Sequence, residues 1–450
     1  MYMPHLTLKS TSVCGTHVYS VLCAKTDEFS IDLDLEFEII QLCNTLVAYE
    51  FAIVLSEIDQ HIAYSVNDTK YSFHVPSKTR PINILYTSCN DIYQQKVWDS
   101  IHTQHAAQPY HIAIGGGDQI YMDDVWNIPS LSKWKASSYF EKTSYILSDI
   151  VKEDIVVFYN KKYDQKWFHS PEYVDVLPNI PSIDMWDDHE IVDGFGSYPD
   201  DIQNSPIMQY IYKVARSAFL IYQLHVCPTE TNQNLTGFFE INDTLIVNTD
   251  TRTERTRQSI LSIDTHNTIF NTIEQSNAPK VIVLLSTAVA FYDISLFSKL
   301  YNYLPKLMNT QMIGCIPGLK SMYNLFGLPE YNDDMCDGWC DNIHAAETDT
   351  FVGKLLQIKK GGKNVVILVG DVHIGADAWV EKDNVGINQY ISSGVGSITS
   401  YIAFNAMKLC SAKRKSGGIT YGICKNTVIH NYNWAGLIVG EDFEYTHYHV

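Results

Sequence analysis

Positive charge is scarce in this chain of 450 residues: 32 Lys and Arg stand against 51 Asp and Glu, a formal net charge of −19. That balance argues against a basic face for nucleic acid or for an anionic membrane. An anionic substrate would then need a local source of positive potential, and bound metal ions are the natural candidates. Also missing is any uncharged apolar run of 18 residues, so no transmembrane helix is expected. The opening stretch, MYMPHLTLKSTSVCGTHVYS, has no basic segment followed by an apolar core and does not read as a signal peptide. The ten cysteines, at 14, 23, 43, 89, 227, 315, 336, 340, 410 and 424, lack the dense spacing of a secreted disulfide scaffold, which points to a reducing, cytoplasmic setting. Asn67, Asn234 and Asn242 begin N-x-T triplets, which would matter only in a secreted protein. There is no internal repeat and no low-complexity tract. With 46% hydrophobic and 18% charged residues, the chain is globular and long enough to bury a catalytic centre.

What is present is a change of pattern along the chain. Residues 31 to 75 alternate apolar and polar in short runs, with a turn at Asn67-Asp68, as in an antiparallel β unit. Pro76 and Pro81 bracket a polar hinge, and the expected boundary is near 78: a small β-rich domain over 1–78, then a larger domain over 79–450. The second part alternates short apolar strands (82–88, 111–117, 182–188, 244–251, 280–287, 364–370 and 387–394) with helices predicted at 91–105, 205–225, 294–308 and 344–359, an α/β alternation. Residues 310–341 lack periodicity and read as a long loop or lid. The end of the chain alternates again and should form a hairpin through Gly440.

The chemistry collects at the ends of strands. In IDMWDDHEIVDGFGSYP, residues 183–199, three acids crowd one imidazole directly after an apolar run. Each carboxylate removed from water costs several kcal/mol unless paired, and a cation resolves the conflict. Strand 82–88 runs into Cys89 and Asp91, strand 111–117 into Asp118 and Tyr121, strand 182–188 into Asp187, Asp188, His189 and Glu190, and strand 364–370 into Asp371 and His373. In α/β sheets such carboxyl ends converge on one crevice. Carboxylate, thiolate, phenolate and imidazole together suit two adjacent metals, a harder one and one that accepts sulfur, nitrogen or phenolate. Taken singly the signals are weak: Asp118 reads equally as a helix cap and Cys89 as a small buried hydrophobe. Their shared position at strand ends gives them weight. A nucleotide-binding reading of AIGGGDQI lacks the G-x-G-x-x-G spacing and would set a carboxylate where a phosphate belongs.

The blocks TSCND, GGGDQIY, MWDDHEIVDGFGSYP, NTDTRTERT, DDMCDGWCDNIHAAE, VGDVHIGA and YISSGVGS resemble, in order, those of the PhoD-like alkaline phosphatase and phosphodiesterase family of the calcineurin-like metallophosphoesterases. The likeness runs from about 80 to 400. It implies a four-layer α/β/β/α metallophosphatase sandwich preceded by a small all-β domain, and a two-metal centre. By resemblance, Cys89, Tyr121 and His373 are ligands of an iron(III)-type site, Asp118 bridges, and Asp91, Asp188 and Asp371 belong to a calcium-type site; manganese, magnesium or zinc are other occupants of such donors. His189 would face the substrate phosphate as acid or stabiliser, and Arg252 would contact phosphate. Asp337 and Trp339 would line the site, and Asp187 and Glu190 would orient the imidazole from behind. Where many members follow DDHE with an Asn-rich stretch, this chain has IVDGFGSYP, which leaves one calcium-side ligand unplaced.

The expectation is a hydrolase of phosphate esters, mono- or diesters, that uses a hydroxide generated between two metals. The alternative is an inactive metal- or phosphate-binding protein on the same scaffold. Nothing in the sequence sets the oligomeric state.

Overall fold

The structure is a computed structural model, and it describes residues 4–12, 15–24, 31–171, 173, 176, 178–228, 233–293, 325–326 and 337–450. The predicted helix 294–308 and most of the predicted loop 310–341 lie outside the described residues.

All seven strands predicted beyond residue 80 form, at Ile82–Thr87, Ile112–Gly116, Ser182–Met185, Thr244–Asn248, Lys280–Leu285, Asn364–Val369 and Val385–Ser392. They divide between two large sheets. The nine-stranded sheet runs, edge to edge, Phe443–His449, Asn433–Val439, Ile82–Thr87, Ile112–Gly116, Ser182–Met185, His5–Thr11, Thr16–Ala24, Leu46–Val54 and Phe37–Gln41. The eight-stranded sheet runs Gly237–Ile241, Thr244–Asn248, Lys280–Leu285, Asn364–Val369, Val385–Ser392, Gly375–Lys382, Ile419–Ile423 and Lys413–Ser416. At the centre of each sheet the strands are parallel and buried on both faces, which is why they read as unbroken apolar runs.

Alternation along these strands divides the core. Ile82, Ile84, Tyr86, Ile112, Ile114, Ile183 and Met185 share one apolar cluster with Ile246, Ile282, Leu284, Val366 and Leu368, so the two sheets meet face to face. The intervening residues point outward: Leu85 packs on Val97, Trp98 and Ile101 of helix Gln95–Ala107, while Val281, Val283, Val365 and Ile367 pack with Ile269, Phe270, Phe351 and Leu355 from helices Ile263–Gln275 and Ala345–Lys360. Helices Asp149–His169 and Pro206–Tyr222 pack together in a further cluster that includes Trp186 and Ile191 beside the acidic segment. No helix among the described residues is long and apolar enough to cross a membrane.

The expected division at 78 does not coincide with a break between sheets. His5–Thr11 lies parallel to Ser182–Met185, with Thr7 opposite Ser182, and three further amino-terminal strands extend the same sheet. Only Ile31–Leu33, Gln60–Val66 and Thr69–Val75 form a separate three-stranded sheet, and its Tyr64, Val66, Phe73 and Val75 enter the inter-sheet core. The reason is local: His5 to Leu8 are buried on both faces, so that strand needs neighbours on each side.

Candidate metal centre

Strand ends from both sheets meet over one crevice. Side-chain donor atoms lie within 4.8 Å of one another in four overlapping groups: Cys89, Asp118 and His373; Asp118, Asp188 and His189; Asp118, Asp187 and Asp371; and Asp187, Asp188 and Asp337. Asp118 belongs to three of them, the position a bridging ligand would hold. Tyr121 joins the first group, its hydroxyl 3.1 Å from His373 Nε2, and its ring stacks on His189 at 4.0 Å.

The backbone is bent to make this possible. Cys89, Asp118, Asp371 and His373 all have positive φ, at 57°, 56°, 71° and 55°, a region that non-glycine residues occupy at a cost. In each case the chain turns sharply off its strand and swings the donor back over the strand end. The preceding glycines serve a packing need. A Cβ at Gly116 would collide with the Tyr86 ring, and one at Gly117, where φ is 94°, would stand 2.8 Å from Asp187 Cβ. That close approach, not phosphate binding, accounts for GGG.

Two of these acids keep a buried oxygen without a hydrogen-bond partner, Asp118 Oδ1 and Asp187 Oδ2. Burial, together with Cys89 and Asp187, holds the Asp118 carboxyl well above the usual carboxylate range. Burial and the Asp187, Asp337 and Asp188 charges do the same to Asp371. The Cys89 thiol is pushed up to about 12, chiefly by burial. Groups that resist ionisation when alone, but hold their donor atoms within ligand distance, fit a cation.

Most predicted residues meet here, though several roles change. Arg252 is fully buried, and its guanidinium is surrounded by protein acceptors. Nε donates to Asp187, Nη1 donates to the Phe195 carbonyl at 2.8 Å and to Asp337 at 2.7 Å, and Nη2 donates to Asp337 at 2.6 Å and lies 3.4 Å from Asp188. With its donors committed in this way, it holds the acids behind the site instead of contacting phosphate. Arg255 adds a second guanidinium on Asp337, 3.2 Å from Oδ1. Burial would raise the Asp188 pKa, but the Arg252 and His189 charges and backbone N–H bonds together outweigh it, and the carboxyl titrates below its usual range.

Glu190 does not touch the imidazole. It accepts backbone N–H bonds from Asp118 at 2.9 Å, Gln119 at 2.6 Å and Asp187 at 2.8 Å, tying two ligand-bearing strand ends together. The group that orients His189 is Asp123, which the sequence reading missed. His189 Nδ1 lies 2.8 Å from Asp123 Oδ2, and Asp123 Oδ1 also accepts the Asp193 N–H at 2.7 Å. Its signal was the acid pair five residues after Asp118 in GDQIYMDD. Trp339 is fully buried against Phe351, rings 5.0 Å apart, in the apolar core. Asp91 belongs to none of the four groups. It lines an open cleft of about 250 Å³ with Asn90, Tyr121, Lys162 and Lys166.

The model of a family described as PhoD related phosphatase matches residues 45–304, more than half of the chain. The chain belongs to this family. The PhoD-related chain is 25% identical, over 393 residues, to the uncharacterized protein YGR266W of Saccharomyces cerevisiae, an alignment covering 73% of this chain and 55% of that protein. It thus spans about half the length of the curated relative it matches. Among solved structures it is similar in fold to PhoD, with a TM-score of 0.58 at 12% identity over 97% of this chain and 84% of that one. A dimetal phosphatase from Danio rerio aligns at a TM-score of 0.36 and 8% identity, covering 82% of this chain and 96% of that one, too loosely to carry an argument. The family is thus one of phosphatases, and the acidic, cysteine and histidine clusters are groups that could hold metal ions.

Proposed function

We propose that the chain hydrolyses phosphoric mono- or diesters at a two-metal centre bridged by Asp118, on a four-layer α/β/β/α scaffold. The observation that carries the reading is the convergence of four strand ends, from two sheets, on buried donors that share Asp118 and include oxygens without partners. Cys89, Tyr121 and His373, with Asp118, would hold an iron-type ion. Asp118, Asp371 and the Asp187-Asp188 pair would hold a harder, calcium-type ion, Asp187 taking the place that the sequence reading gave to Asp91. The seven cysteines among the described residues are all free, which supports a reducing, cytoplasmic setting.

When bound, a metal pair supplies Lewis acidity toward the phosphate oxygens and lowers the pKa of the attacking water. The protein's own groups do the rest. His189 stands beside Asp118 and Asp188 with Nδ1 fixed by Asp123, so Nε2 is the nitrogen left to face the ester. Burial would depress its pKa, but the carboxylates of Asp123, Asp188 and Asp118 outweigh burial and hold it well above the ordinary histidine value. A protonated His189 would stabilise the developing charge and give its proton to the leaving oxygen. Glu190 keeps the Asp118 and Asp187 backbones in register, and Arg252 holds Asp187, Asp188 and Asp337 in place.

Elemental analysis of the purified chain, with hydrolysis of bis-p-nitrophenyl phosphate and p-nitrophenyl phosphate before and after chelation, tests the proposal. Close to two metal equivalents and chelator-sensitive hydrolysis of either ester are expected. A folded protein that retains metal yet cleaves neither ester would support the inactive binding protein instead.

A further inference from the structure

Ser393 follows strand Val385–Ser392 in the block YISSGVGS and is fully buried. Its Oγ accepts the backbone N–H of His373 at 2.9 Å and lies 3.1 Å from Cys89 Sγ. A hydroxyl carries one proton and two lone pairs. With the His373 N–H directed at its oxygen, the proton of Ser393 is left for the sulfur. A cysteine that ligates metal does so as thiolate, and a thiolate only accepts hydrogen bonds. The other hydroxyl near the sulfur, Ser88 Oγ, is 3.5 Å away and directs its proton to the Ser392 carbonyl at 3.0 Å. The thiol itself also points at Asp118 Oδ2, 3.4 Å away. That contact must give way when both residues ligate, and the Ser393 bond is the one that remains.

We propose that Ser393 is a positioning residue of the metal centre: its O–H donates to the ligating thiolate of Cys89 while its oxygen anchors the backbone of His373. One hydroxyl thereby tunes the donor strength of the sulfur and fixes the spacing between two ligands carried by different sheets. Hydrogen bonds to a ligating sulfur withdraw electron density from it and stabilise its filled orbitals, and outer hydrogen-bonding partners of ligands commonly govern metal affinity. The inference rests on Cys89 and His373 being ligands, as proposed above, and its test separates the two claims.

Cobalt(II) reports on thiolate ligation through a sulfur-to-metal charge-transfer band. The chelated chain, reloaded with cobalt, should show that band. In Ser393→Ala it should move to lower energy, with cobalt affinity weakened about 10- to 100-fold, whereas Ser393→Thr, which keeps the hydroxyl, should restore the wild-type position. A band unmoved in Ser393→Ala at equal cobalt content would overturn the Ser393 role and leave the Cys89 ligand standing. No sulfur band in the wild type would overturn both. Should the alanine variant fail to fold, the cobalt–sulfur stretch of the wild-type protein by resonance Raman should shift on exchange into D2O, and its absence would count against the proposal equally.

Discussion

Two groups of carboxylates, all buried but the half-buried Asp371, lie side by side in this molecule, and their surroundings differ. Asp187, Asp188 and Asp337 surround Arg252, a cation built into the chain. Asp118 and Asp371 form no ion pair with lysine or arginine among the described residues, and their carboxyls are driven toward the protonated form. The first group has a cation of its own, though Asp187 Oδ2 keeps no hydrogen-bond partner, and the second has no such cation beside it among the described residues. The difference explains why an acid-rich strand end can be at once a structural brace and a ligand set: one arginine settles part of the charge permanently and leaves the remainder open.

The comparison breaks most severely at Arg252. Arg252→Met leaves Asp187 and Asp188 without their arginine and Asp337 with Arg255 alone, and unfolding in urea with chelator present should show a loss of about 3 to 5 kcal/mol; a loss below about 1 kcal/mol would mean that the acids do not depend on it. Asp118→Asn should act in the opposite sense on stability. The chelated variant should be as stable as the wild type or more so, since a buried acid that resists ionisation is replaced by a neutral amide, while ester hydrolysis falls by more than the roughly 10- to 100-fold typical of an outer support. Full activity in a folded Asp118→Asn protein would refute the bridging role.

Smaller effects sharpen the picture. His189→Ala should lower turnover about 10²- to 10⁴-fold. Asp123→Asn should cost less, about 10- to 100-fold. Because the Asp123 charge raises the His189 pKa, its loss should move the basic limb of the kcat/KM profile to lower pH; an unmoved limb would separate the two residues. A separate effect is on stability against pH. Glu190 is pushed up to about 8, chiefly by burial. Folded chelated protein therefore keeps a proton that the unfolded chain releases near pH 4.5, so stability should fall between those values as pH rises, by about 1.4 kcal/mol per pH unit for one proton. A flat melting temperature from pH 5 to 8 would contradict this.

Much of the fold was legible because buried parallel strands are short apolar runs and their polar ends stand out, as at VVILVGDVH. Helix Asp149–His169 was missed although Val151, Ile155, Tyr159, Tyr163 and Trp167 are buried at four-residue intervals; exposed Ile150 and Val157 blur the stripe. The joining of His5–Thr11 to the main sheet was hidden because its partner, Ser182–Met185, lies far along the chain and pairing across such a distance leaves no local mark. At the site, residue types singled out the donor groups that cluster, but Asp123 and Ser393 contact them from 66 and 304 residues away in sequence. The burial of Arg252, likewise, follows from acids on separate segments.

That separation has a consequence for how the protein matures. Tyr121 and His373, which touch, are 252 residues apart. A ribosome must therefore release most of the chain before the sulfur end of the centre exists, and a nascent chain offers any passing ion only fragments of the final coordination. On the proposed function, metal loading would belong after synthesis, when both sheets have docked, and the identity of the ion would reflect what the surroundings then supply as well as what the donors prefer.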